Sequence, residues 1–194
     1  MLYRIFDDMT QCSEQEIARL LPLVSPQRRE QALRYTHIFG QFCCLKSYEL
    51  LTQLLVKWGG DNVDKMPEFV YNEHGAPYLA IGPYFSISHC KQGIAVAVSE
   101  TPIGIDIESI RPLNDRLVRK TMNSEEQYQI AASFNPEIEF IRLWTRKEAY
   151  VKMIGTGIIS EIQDILSGVH DVQWEELVNF DNRFICTICK KDIR

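Results

Sequence analysis

The chain is predicted to be an α/β (α+β) protein made of two similar α/β halves. Three observations lead there. Strand-like alternation and helix-like periodicity interleave along the whole length. The hydrophobic content, 45% of 194 residues, is enough for a real core. Thr101-Pro102 interrupts the pattern near the middle, which sets the expected halves at 1–100 and 101–194. No apolar run is long enough to span a membrane, and no internal repeat is visible in the residues themselves.

The elements follow in order. Leu2 to Asp7 reads as a first strand, with no charged-then-apolar leader pattern. Ser13-Glu14-Gln15-Glu16 has the form of a capping box that opens a helix. Ser25-Pro26 opens another, running to about Tyr35. A long apolar helix is expected from about Gly40 to Trp58, with Leu45, Leu50, Leu51, Leu54 and Leu55 supplying core. Short strands follow near Glu68–Tyr71, Tyr84–His89 and Gly93–Ser99. Beyond Thr101-Pro102 come the Gly104 strand and helices near Leu113–Met122 and Ser124–Phe134. A helix over Pro136–Ile154 has Asn135 as N-cap and Gly155 as its stop. Strands near Val172–Glu176 and Arg183–Cys189 close the chain.

Two segments carry the chemistry. In Gly104-Ile105-Asp106-Ile107-Glu108, strand alternation puts Ile103, Ile105 and Ile107 on a core face, with Gly104, Asp106 and Glu108 on the other. In Trp144 to Lys152, Ile141, Trp144, Thr145, Glu148 and Lys152 share one helical face. Taken separately, the first pair reads as a solvated strand face and the second as a surface ion pair. Where strand and helix meet, three carboxylates and an ammonium converge, a set suited to a divalent cation and a phosphate.

Together the two segments resemble the signature of the 4′-phosphopantetheinyl transferase superfamily. The family pairs G-[IV]-D-[IV]-E with W-[TS]-x-K-E-[AS]-x-x-K, and this chain matches both at every specified position. Phe85-Ser86-Ile87-Ser88-His89-Cys90 is similar to the F-[NS]-[IL]-S-H-[ST] strand, and Ser25-Pro26-Gln27-Arg28-Arg29-Glu30 to the family's S-P-x-[KR]-R-E. The likeness runs from about residue 1 to about residue 190. It is nearest the larger type, which activates peptide, polyketide and fatty-acid synthases. It implies two halves in pseudo-twofold arrangement, each a small, mainly antiparallel sheet packed with helices, and coenzyme A in the cleft between them.

The resemblance also implies a reaction. The phosphopantetheine arm of coenzyme A passes to a serine of an acyl or peptidyl carrier protein, and adenosine 3′,5′-bisphosphate is released. Asp106, Glu108 and Glu148 would hold Mg²⁺. Glu148 would also serve as general base, and Lys152 would stabilise the phosphate charge. Arg28, Ser88, His89 and Lys152 would contact coenzyme A. Lys147 lies off that face and is expected in a peripheral salt bridge.

Three cations that the family commonly carries are absent. Gln31, Cys43 and Ala76 stand at those positions, leaving Arg28, Lys46, His37 and Lys91 as candidate substitutes. A charge-assisted phosphate contact is worth roughly 1.5–3 kcal/mol, so coenzyme A binding weaker than in relatives is expected, or tolerance of the dephospho form.

The net charge of −5 argues against a nucleic-acid partner. Carrier proteins of this family are acidic, and Arg111, Arg116, Arg119 and Lys120, alternating with Leu113, Leu117, Val118 and Met122, form the expected docking patch. Arg116 and Arg119 are its leading members, and an ordinary solvated helix face is the alternative. The six cysteines, including Cys186-x-x-Cys189, lack the spacing of a zinc or redox site and read as reduced thiols. A cytoplasmic monomer away from membranes is therefore expected. Two other classes fit parts of the pattern: a non-enzymatic coenzyme A or carrier binder, and a metal-dependent phosphohydrolase.

Overall fold

The computed structural model describes residues 1–60, 66–157 and 162–192. Its chain traces one path twice. The first half runs from strand β1 (Leu2–Phe6) through helices α1 (Glu14–Leu20), α2 (Pro26–Leu33) and α3 (Ile38–Gly59). It then passes through a small hairpin, β2 (Val70–Tyr71) and β3 (Pro77–Tyr78), to the strands β4 (Tyr84–Cys90) and β5 (Gly93–Ser99). The second half runs from β6 (Ile103–Ser109) through α4 (Asp115–Thr121), α5 (Ser124–Ala132) and α6 (Pro136–Ile154) to β7 (Val172–Asn179) and β8 (Phe184–Lys191). The sheet orders are β1-β5-β4 and β6-β8-β7, so in each half the last strand is central and the first strand lies at one edge. Both sheets are antiparallel throughout.

Alternation decides how the sheets stack. On β5, Ile94, Val96 and Val98 face α3 in one core, while Ala95 and Ala97 face the second sheet. There they meet Ile103, Ile105 and Ile107 of β6, which are at most 3% exposed. Small alanines on one side let the larger isoleucines of the other approach. Two three-stranded sheets therefore lie face to face, each covered on its outer side by its own helices. Strands β4 and β6 lie close without a backbone ladder. Ser86 Oγ accepts from the Ile105 amide at 3.0 Å, and Ser88 Oγ donates to Asp106 Oδ1 at 2.8 Å.

Helix ends agree with the sequence signals in place more than in detail. Ser13 caps α1 by accepting from the Glu16 amide, but the Glu16 carboxylate pairs with Arg19 and Lys46 instead of completing the box. Asn123 and Glu126 form a full reciprocal box on α5. Asn135 precedes α6 without a side-chain cap bond, while Gly155 ends it in the left-handed region at φ 72°. The β2–β3 hairpin adds a strand, Pro77–Tyr78, beyond those expected. Strand β7 extends three residues further than expected, to Asn179.

The second face of β6 is not solvated. It packs against α6, and Gly104 is the point of contact. A Cβ there would lie 1.8 Å from the Ala149 carbonyl oxygen and 2.6 Å from the Met153 amide nitrogen. Thr145 and Thr187, both fully buried, hydrogen-bond at 2.7 Å and fix α6 against β8. Because backbone would have to move, Gly104→Ala is expected to destabilise the fold by about 3 kcal/mol or more, beyond ordinary overpacking. A urea titration measures this, and an unchanged midpoint would show that α6 can lift from β6 at little cost.

Candidate active site

Site residues come from three elements. Strand β6 presents Asp106 and Glu108 on the face toward α6, and α6 supplies Trp144, Glu148 and Lys152. Strand β4 brings Ser88 from the other half. Asp106 is 4% exposed. Its Oδ1 takes a 2.7 Å ion pair from Lys152 and the Ser88 hydroxyl hydrogen bond, while its buried Oδ2 has no hydrogen-bond partner among the described residues. Lys152 Nζ also donates to the Ile105 carbonyl at 3.2 Å, and 29% of its side chain stays accessible. Trp144 Nε1 donates to Glu108 Oε1 at 3.3 Å. The indole thus orients a carboxylate, a role its sequence position beside the acids did not reveal.

The three carboxylates act on one another. Burial raises the Glu148 carboxyl above its ordinary range, the Asp106 and Glu108 charges add to the rise, and Lys152 opposes it. Burial likewise raises Glu108, with Asp106 adding and Arg111, Trp144 and Lys152 opposing. Concentrated negative charge with an orphaned buried carboxylate oxygen is the donor chemistry of a divalent cation. Among the described residues, no three His, Cys, Asp or Glu side chains are already arranged as a ligand cluster. Asp106, Glu108 and Glu148 thus carry donor chemistry that suits a cation without forming a ligand cluster, and Asp106 is paired to Lys152.

His89, next to last in β4, lies beside the Phe39 ring, in edge-on contact at 6.2 Å between centroids. Its side chain is solvent-exposed; partial desolvation at the strand end, then the Lys152 and Arg28 cations, lower its pKa and favour the neutral imidazole, which offers a hydrogen bond and no charge. Arg28 is buried and engaged. Its Nε donates to the Cys44 carbonyl at 3.0 Å, and its two terminal nitrogens donate to Gln31 Oε1 and Ser47 Oγ, each at 2.9 Å. Its guanidinium also lies 5.3 Å from the centre of the Phe69 ring. Gln31, where the resemblance anticipates a second base, is thus an acceptor for Arg28. Lys46 is buried against Glu49 and Glu16. Of the four candidate substitutes, His37 and Lys91 are exposed.

Lys147 corrects the expectation of a peripheral bridge. It is 0% exposed and pairs with Glu126 at 2.6 Å. Its ammonium also donates to the carbonyls of Thr121, Ile162 and Gln163. Removing one partner of such a pair costs about 3–5 kcal/mol. On α4, Arg116, Arg119 and Lys120 are exposed, but Val118 and Met122 turn into the core and Leu113 and Leu117 are partly buried against it, so the expected mixed patch is mainly a basic face. All six cysteines are free. Cys186 and Cys189 lie on opposite faces of β8, and burial pushes Cys189 up to about 12 and Cys186 higher still. They are packing residues.

A family model described as the 4′-phosphopantetheinyl transferase superfamily matches residues 102–190. The 4′-phosphopantetheinyl transferase gsp of Aneurinibacillus migulanus is 29% identical over 141 residues, covering 70% of this chain and 57% of that protein. The 4′-phosphopantetheinyl transferase Sfp of Bacillus subtilis is 28% identical over 162 residues, covering 81% and 71%. The 4′-phosphopantetheinyl transferase AcpT of Escherichia coli is 37% identical over 112 residues, covering 54% and 57%. The chain thus spans a little over half the length of two of these relatives. The matched segment contains β6 with Asp106 and Glu108, and α6 with Glu148 and Lys152. The second half of the chain thus matches the 4′-phosphopantetheinyl transferase superfamily model, and most of the chain is similar to proteins of that name.

Proposed function

We propose that this protein transfers the 4′-phosphopantetheine arm of coenzyme A to a serine of an acyl or peptidyl carrier protein. The observation that carries this reading is the meeting of β6 and α6 at Gly104, which gathers Asp106, Glu108, Glu148 and Lys152 beside β4 of the other half. The names of the relatives support it. In this reading residues 1–100 contact coenzyme A and residues 101–194 hold the reacting groups.

The chemical difficulty is that a neutral hydroxyl must attack a pyrophosphate that already carries negative charge. Asp106, Glu108 and Glu148 would hold Mg²⁺, which when bound neutralises charge on both phosphates. The residues of the chain do the rest. Glu148 takes the serine proton as the hydroxyl oxygen bonds to phosphorus. Lys152 leaves its ion pair with Asp106 to face the departing phosphate of adenosine 3′,5′-bisphosphate, where its charge counts most. Ser88 keeps Asp106 oriented, and neutral His89 donates to a phosphate oxygen.

The reading is tested by the intact mass of an apo carrier protein incubated with this protein, coenzyme A and Mg²⁺. A gain of one phosphopantetheine is expected, reduced by roughly 10²-fold or more in rate with Glu148→Gln. Turnover of coenzyme A without a carrier would point to hydrolysis instead. Carrier docking is assigned to the basic α4 face: Arg116→Glu with Arg119→Glu is expected to raise the carrier KM and leave coenzyme A binding unchanged. Unchanged carrier kinetics would remove this face from the interface.

The raised carboxyls also link the site to stability. A carboxyl with a higher pKa folded than unfolded holds its proton more tightly in the native state. That contribution is complete below the ordinary glutamate value of 4.5 and is lost as pH rises through the folded value. At neutral pH, ionised Glu148 therefore burdens the fold. Glu148→Gln should raise Tm by a few degrees at pH 7 and by less below pH 4.5, and Mg²⁺ should raise the wild-type Tm. A wild-type Tm indifferent to Mg²⁺ would count against the metal assignment.

A further inference from the structure

The β2–β3 hairpin crosses from one half of the molecule to the other, and each end is tied by one side-chain amide. At its base, Gln27 of α2 pairs with Phe69 as a strand would: Nε2 donates to the Phe69 carbonyl and Oε1 accepts from the Phe69 amide, each at 2.9 Å. At its tip, Asn72 works in two directions. Its Oδ1 accepts from the amides of His74 at 3.0 Å and Ala76 at 2.8 Å, closing the turn in which Gly75 takes φ 79°. Its Nδ2 donates at 2.8 Å to the carbonyl of Gly155, the residue that caps α6.

Gly155 and Gly157 suit this approach. Both have positive φ, and a Cβ on Gly155 would come to 3.3 Å from Asn72 Nδ2. A Cβ on Gly157 would stand 3.7 Å from the His74 carbonyl. The donor meets a helix C-terminus, where carbonyls lack intrahelical partners and the dipole favours positive charge. Between the hairpin and α2 lies a cavity of about 300 Å³, lined by Gln27, Glu30, Gln31, Arg34 and Tyr71. The hairpin walls that cavity on one side and touches the end of the Glu148–Lys152 helix on the other.

We propose that Asn72 is a positioning residue: its bond to Gly155 clasps the hairpin to α6 and sets the α2–hairpin cavity at a fixed distance from Glu148 and Lys152. This rests on the proposed transfer reaction, in which residues 1–100 contact coenzyme A while α6 acts on the pyrophosphate. The two functions of Asn72 can be separated by substitution. Asn72→Ala removes both the turn bonds and the clasp. Asn72→Asp keeps an oxygen for the His74 and Ala76 amides, but replaces the donor with a carboxylate oxygen facing the Gly155 carbonyl.

The test measures hydrogen exchange across residues 70–78 and coenzyme A binding by titration, in the wild type and both variants. In both variants, hairpin exchange should quicken and the coenzyme A Kd rise, each by about three- to tenfold, the range set by one hydrogen bond. Wild-type exchange and affinity in Asn72→Asp would overturn the proposal, because the turn alone would then suffice. If the wild-type chain binds no coenzyme A, the transfer reading fails, and the exchange comparison still decides whether the clasp exists.

Discussion

The approach of α6 to β6 at Gly104 is the constraint on which the site depends. With no side chain there, helix backbone rests on strand backbone. The side chains flanking the contact, Asp106 and Glu108 below and Glu148 and Lys152 above, are left with one shared space. Thr145 meeting Thr187 sets the helix along the sheet, and Lys147 ties its far side to Glu126 and three carbonyls. A buried ion pair adds little net stability compared with apolar packing, yet is costly to break. Its effect here is to hold α6 in one rotation, so that Glu148, the next residue, points toward the acids.

That placement concentrates unfavourable electrostatics. Lys152 acts on all three carboxylates, Arg111 and Trp144 add to it at Glu108, and Lys152 meets Asp106 through a single oxygen. The other oxygen is buried with no hydrogen-bond partner among the described residues, a cost that folds tolerate mainly where function needs it. Ser88 reaches Asp106 from the other half. The halves are therefore coupled at the acid that most raises the pKa of Glu148 after burial, and the site is a property of the interface between them.

How much of this could be read from sequence depends on range. The isoleucine alternation of β6 and the three- and four-residue spacing on α6 are local, and both faces fell where the periods place them. Gly104 was legible as space beside the acids, but that the space is filled by α6 backbone required the tertiary contact. Strand β3, two residues long, is too short to show a period, whereas β2 lies within the strand expected near Glu68–Tyr71. The burial of Lys147 was hidden because Glu126 lies 21 residues away in sequence. Asn135 has the residue type and position of a cap, yet no side-chain cap bond forms. The basic face of α4 was legible as charge, but the inward turn of Val118 and Met122 was set by packing on α5 and α6.

The same distinction bears on the first half, where Arg28, Lys46, His37 and Lys91 are the candidate substitutes for the cations missing at Gln31, Cys43 and Ala76. Cys43 is fully buried and pushed up to about 12 by its surroundings, so an arginine in its present orientation would have to displace core. Lys46, one turn on, is committed to Glu49 and Glu16, and three of the guanidinium nitrogens of Arg28 already have acceptors. Gln31 is one of those acceptors, and a second cation in its place would repel Arg28 across the same contact. The first half thus spends its interior cations on joining α2 to α3 and α1 to α3. In the proposed reaction, phosphate recognition then falls more heavily on Lys152, neutral His89 and the exposed His37 and Lys91. A bound donor would gain its strongest charge contact from the lysine that also meets the departing phosphate, so binding and chemistry would draw on one side chain.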